Sequence, residues 1–160
     1  MKRRSIFAVN LFALTLWVVP AFAAGGRQVD VNERIKGAQR VVVAKAVKIT
    51  PEWRTNEHGD KLIVSHVTLE VEETFKGAPA NVMSMDIEGG TLNGVTLVVS
   101  SLPSVKPGDR AVFMLDAAPS GSHVPHLKGM GILKLDSNNH IERSDLRLDD
   151  IRRVAASAGR

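Results

Sequence analysis

Apolar and polar positions alternate with period two along most of the chain and switch to helical spacing in two places. Val31, Ile35 and Ala38 recur at three- and four-residue spacing within 29–39, with Gly37 near the end, which predicts a short leading helix. Residues 41–49 are β-branched and put Val41, Val43, Val47 and Ile49 on one face of a strand. The polar stretch 50–61 carries Pro51, Asn56 and Gly59-Asp60 and predicts a loop. A second strand sets Ile63, Val67, Leu69 and Val71 against Val64, His66, Thr68 and Glu70, and a third alternates Met83, Met85 and Ile87 with Val82, Ser84 and Asp86. Residues 95–100 and 111–115 are apolar runs that predict two more strands. Residues 117–125 read as a loop, and Gly129 and Gly131 within 127–135 mark a bulge or a close backbone approach. Over 144–157 Leu148, Ile151, Val154 and Ala155 return to helical spacing, with Ser144 as N-cap and Asp145 in the first turn.

These elements predict a mainly β fold, a small antiparallel OB-like barrel of five to six strands with a short N-terminal helix and a C-terminal helix laid against the sheet. A sandwich fits the same pattern. Residues 1–23 have the form of a signal peptide: Lys2, Arg3 and Arg4, an apolar run over 6–19, and Ala21-Phe22-Ala23 as the cleavage site. Cleavage there leaves a mature chain from Ala24 to Arg160, one domain in size, exported to a periplasm or the medium and without a membrane anchor. Arg3-Arg4-Ser5-Ile6-Phe7 partly resembles a twin-arginine signal, and an ordinary basic start fits a run this apolar.

The signal peptide takes three of the 21 basic residues and none of the 17 acidic ones, so the mature net charge falls from +4 to +1. Its bases are interspersed with acids, as in Asp149-Asp150-Ile151-Arg152-Arg153, which argues against nucleic acid as partner. Cysteine is absent, so the fold must hold by its core alone, without disulfides, thiol catalysis or thiolate metal sites. The aromatic residues left are Trp53, Phe75 and Phe113, too few for stacking platforms.

Residues 41–47 followed, after a long loop, by 67–77 resemble the opening strands of the tissue-inhibitor-of-metalloproteinase and netrin-type OB-like barrels. Glu88-Gly89-Gly90, Lys106-Pro107-Gly108-Asp109 and Gly129-Met130-Gly131-Ile132 are similar to exported bacterial domains of the same plan. The resemblance implies a fold and little about function. The inhibitors place an N-terminal cysteine on a protease zinc, and this chain has no cysteine.

Among chemistry-bearing residues, His123 and His126 are the closest pair of histidines and, with His140 or His66 as a third, have the ligand type for zinc or copper. Trp53 beside Arg54 in the expected 50–61 loop has the composition of a binding hot spot. Glu70, Glu72, Asp86 and Glu88 are read as the solvated side of a sheet. Ser100-Ser101 and Ser120-Gly121-Ser122 lack a nucleophile elbow, and no motif calls for a cofactor. The sequence therefore points to a non-enzymatic binding module that acts through barrel loops on a protein or envelope partner. A periplasmic metal-binding protein is the alternative, and a hydrolase the third reading.

Overall fold

The computed structural model describes residues 30–158, so the signal-peptide segment lies outside the described residues. The order of elements is α1 (Val31–Gly37), β1 (Arg40–Thr55), β2 (Lys61–Lys76), β3 (Val82–Glu88), β4 (Gly90–Leu92), β5 (Val95–Leu97), β6 (Arg110–Ala117), β7 (His123–Pro125), a 3₁₀ turn (Lys128–Gly131), β8 (Ile132–Lys134) and α2 (Leu148–Ala158). The fold is mainly β with a helix near each end, as the alternation predicts.

Five strands form a ring in the order β1-β2-β3-β7-β6 and back to β1, with β8 added on β6. Every pairing is antiparallel except β3–β7, which is parallel and consists of one residue pair, Met85 and His123. The expected antiparallel barrel is therefore a mixed sheet with a thin seam. A chain passing from β3 through the β4–β5 hairpin and β6 returns to β3 in the same direction, so the seam has to be parallel.

β1 belongs to both sides of the ring. Residues 40–45 pair with β6, and β1 pairs with β2 from Val41 to Thr55. Its first half is buried on both faces. Val41 and Val43 join Val31, Ile35, Val112, Met114, Leu148 and Ile151 in an outer core beneath the helices, while Val42, Ala44 and Ala46 join Val67, Leu69, Met83, Met85 and Phe113 inside the ring. The register slips between Ala46 and Lys48, leaving Val47 as an extra, exposed residue. This bulge reverses the facing of everything beyond it, so Ile49 packs with the inner core and not with Val41 and Val43.

The loop expected over 50–61 is strand on both sides of a short turn, because β1 and β2 stay paired out to Thr55 and Lys61. Pro51 is tolerated because β6 ends its pairing at Lys45, so at Pro51 β1 hydrogen-bonds on one side only. The strand expected over 95–100 shortens to β5, which pairs only with β4 in a separate hairpin. The 117–125 loop yields β7. α2 begins at Leu148, not Ser144, which serves a preceding turn by accepting from the Leu146 amide, while Asp150 accepts from the Arg147 amide in a capping-box manner. The helix stripe then packs as expected, with Leu148 and Ile151 buried.

Gly129 and Gly131 are the close approaches that their spacing suggests. A Cβ at Gly131 would lie 2.4 Å from the His126 carbonyl oxygen and 2.8 Å from that of Met114, both main chain and unable to give way. Gly131→Ala is accordingly expected to cost about 2–4 kcal/mol in urea unfolding. Gly108→Ala, in open space at a φ of +95°, should cost about 1 kcal/mol.

Candidate functional site

Beyond the bulge the even-numbered residues of β1 face outward, so Glu52 and Arg54 share a surface with Val64 and His66 of β2 and with Asp86 and Glu88 of β3. Thr50 pairs with His66 and His66 with Asp86, which brings three strands across one face. Ser122, just before β7, closes over this surface from the far side of the seam. Its Oγ donates to Asp86 Oδ1 at 3.1 Å and lies 3.4 Å from Ser84 Oγ.

Asp86 is the centre of the arrangement. It is 5 % exposed and accepts from Arg54 Nη1 at 3.0 Å, His66 Nδ1 at 2.6 Å and Ser122. Burial pushes its carboxyl up, but the hydrogen bonds from Arg54, His66 and Ser122 outweigh burial and hold it below the ordinary aspartate value. Glu52 caps the same cations from the solvent side, 2.9 Å from Arg54 Nη2 and 2.9 Å from His66 Nε2, and those bonds hold its carboxyl low as well.

The histidine is thus faced by carboxylate oxygen at both ring nitrogens. A carboxylate only accepts, so this arrangement favours the imidazolium, in which both nitrogens donate. The bond to Glu52, joined by that to Asp86, raises the His66 pKa above the ordinary histidine value of 6.5 in spite of partial burial. Arg54 Nη2 also lies 3.1 Å from His66 Nε2, a contact that becomes a hydrogen bond only when that nitrogen is unprotonated.

Beside the cluster runs a groove of about 360 Å³, lined by Arg54, Leu62, Val64, Asp86, Glu88 and, on the opposite bank, 118–120 with Val124. The opposite bank is a turn closed by Ala118 N–H to the Ser122 carbonyl and Gly121 N–H to the Ala118 carbonyl. The groove therefore has an apolar lining and a charged flank whose cations are already paired.

Of the four candidate site residues Trp53, Arg54, His123 and His126, Arg54 is in this site and the other three are elsewhere. Trp53 stands in β1, 47 % exposed, but adjacent strand residues point to opposite faces, so it is on the other side of the arm from Arg54. His123 donates from Nδ1 to the Ser84 carbonyl at 3.0 Å, and His126 bonds Asp116 Oδ2 at 2.7 Å with its Nε2 against Gly37. The two rings thus serve different neighbours, and Asp116 is an orienting carboxylate that the local sequence gives no hint of. Among the described residues no group of three or more His, Cys, Asp or Glu side chains is arranged to hold a metal ion. Asp86, read from alternation as solvated, is buried because Arg54, His66 and Ser122 cover it. Glu52 went unmarked, and His66 and Ser122 were weighed only for a metal site and a nucleophile, because only pairing across three strands and a turn assembles them.

No protein-family model matches the sequence, and no curated protein is significantly similar to it.

Replacing Asp86 by Ala leaves two cations with one carboxylate between them and should cost about 2–3 kcal/mol in urea unfolding at neutral pH. The pH signs differ between the partners. Because the folded-state pKa of His66 is raised, its contribution is complete below about pH 6.5 and fades as the pH climbs through the higher folded value. Asp86, with a depressed pKa, contributes above about pH 4 and loses that contribution on acidification. The stability gap between the unsubstituted chain and His66→Gln should be widest near about pH 6 and narrow towards about pH 9.

Proposed function

We propose that the protein is an exported, non-catalytic binding module built on an OB-like barrel, and that the groove beside Asp86 receives a segment of a protein or envelope partner. The observation that carries this reading is the position of the groove. It lies on the face of the second and third ring strands, between the β1–β2 turn and the turn that joins the last two ring strands. In OB barrels, whose third and last ring strands pair in parallel as β3 and β7 do here, that face and those two connections are where ligands bind. The segment 1–23, with its basic start, apolar run and small-residue end, supports export.

The chemistry of the cluster favours binding over hydrolysis, although a serine, a histidine and two carboxylates do converge. Asp86 stands between Ser122 and His66, so the imidazole is not placed to take the serine proton, and the hydroxyl faces an ionised carboxylate. A carboxylate pair working as acid and base needs one member raised, whereas Glu52 and Asp86 are both lowered by the same two cations. Charges that neutralise one another and hold fixed rotamers make a rigid recognition surface.

Two experiments test the proposal. The protein recovered from the cell envelope should have an N-terminal mass beginning at Ala24, and a retained Met1 would contradict export with cleavage. A photo-cross-linking residue at position 118 should give a discrete adduct in cells that Val124→Arg abolishes and Trp53→Ala leaves intact. An adduct that depends on Trp53 instead would move the binding face to the other side of the arm.

A further inference from the structure

We propose that the groove takes a cationic chain segment and holds it less tightly when His66 gains a proton, an inference that rests on the groove being the binding face. Its lining is apolar at Leu62 and Val64 and, on the opposite bank, at Pro119 and Val124, which suits an aliphatic side chain. Its charged flank offers Arg54, Asp86 and Glu88. The Arg54 charge is committed to Glu52 and Asp86, so it is not free to receive an anion. Glu88 is exposed on the same face, two residues beyond Asp86, and no cation among the described residues pairs with it. The charge the groove presents to a ligand is therefore negative, and the turn beyond it adds Glu57 and Asp60 against Lys61 and, when protonated, His58 beside Glu57.

The size of that charge is set by one ring. The groups that face His66 are Glu52 and Arg54 from β1 and Asp86 from β3, with Ser122 and His123 reaching the same strand at Asp86 and Ser84. With the ring protonated, Glu52 and Asp86 cancel Arg54 and His66, and Glu88 alone remains. Once Nε2 loses its proton, Nδ1–H keeps its bond to Asp86, Nε2 accepts from Arg54 Nη2, and Glu52 is left with Arg54 alone. The cluster then carries a net charge of −1 and the groove with Glu88 −2, with no backbone movement required. Since His66 touches Asp86, which lines the groove, the change falls well inside a Debye length of about 8 Å.

The test uses the exported chain and two probes, acetyl-Val-Lys-Leu-amide and acetyl-Val-Glu-Leu-amide, titrated by backbone-amide NMR at about pH 5.5 and about pH 9. The lysine peptide should shift amides of 62–64, 86–88 and 118–124 and bind about two- to five-fold tighter at the higher pH. The glutamate peptide should bind more weakly at both. His66→Gln should erase the pH difference while keeping the preference for lysine, and Glu88→Gln should weaken that preference. Equal lysine-peptide affinity at the two pH values, or a pH dependence that survives in His66→Gln, overturns this inference and leaves the groove reading intact. Groove amides unmoved by either peptide overturn the groove reading itself, and this inference with it.

Discussion

One buried carboxylate ties together the surface on which the site is built. The backbone joins β3 to β7 at a single residue pair. The inner core and the bond from His123 to the Ser84 carbonyl span that seam as well, and on the outer face Asp86 holds Arg54 from β1, His66 from β2 and Ser122 from across the seam. An ion so deeply buried is tolerated only when its oxygens are filled by donors and its charge is matched. The same requirement that keeps Asp86 ionised therefore ties the arm, the third strand and the 118–122 turn into one unit.

A second constraint, the bulge at Val47, decides what that unit contains. Before it the even-numbered residues Val42, Ala44 and Ala46 point into the ring, and without a slip Glu52 and Arg54 would follow them inward. The extra residue sends them to the outer face, opposite His66 and Asp86, and turns Trp53 away. One inserted residue in the longest-shared strand thus places the charged flank of the groove and excludes the aromatic residue that composition favours.

How much of this was legible in the sequence depended on the range of the interactions involved. Local periodicity was enough for α1, β2, β3 and β6, because Val67 and Leu69, or Met83, Met85 and Ile87, alternate into the inner core. It was enough for the α2 stripe as well, though not for its start, which the Asp150–Arg147 bond sets. The strand content of 50–61 was hidden by Pro51 and a polar composition that suits an exposed arm as well as a loop. β4 and β7 are three residues each, shorter than any periodic signal. The site was the least legible part. Glu52, His66, Asp86 and Ser122 are spread over 70 positions of sequence, and nothing in any one segment marks them. The histidine pair at 123 and 126 was conspicuous for its spacing, yet each ring is bonded to a different strand.

The central claim is that His66 is an imidazolium clamped between Asp86 and Glu52, and nitrogen NMR of its ring tests this most directly. At about pH 6.5, the ordinary midpoint for histidine, the account predicts that both ring nitrogens are mostly protonated and that the titration midpoint lies above the ordinary value. A ring that is mostly neutral at that pH, or a midpoint below the ordinary value, would mean that the carboxylates do not hold it as a cation, and the account of the charged cluster and of its pH switch would fail.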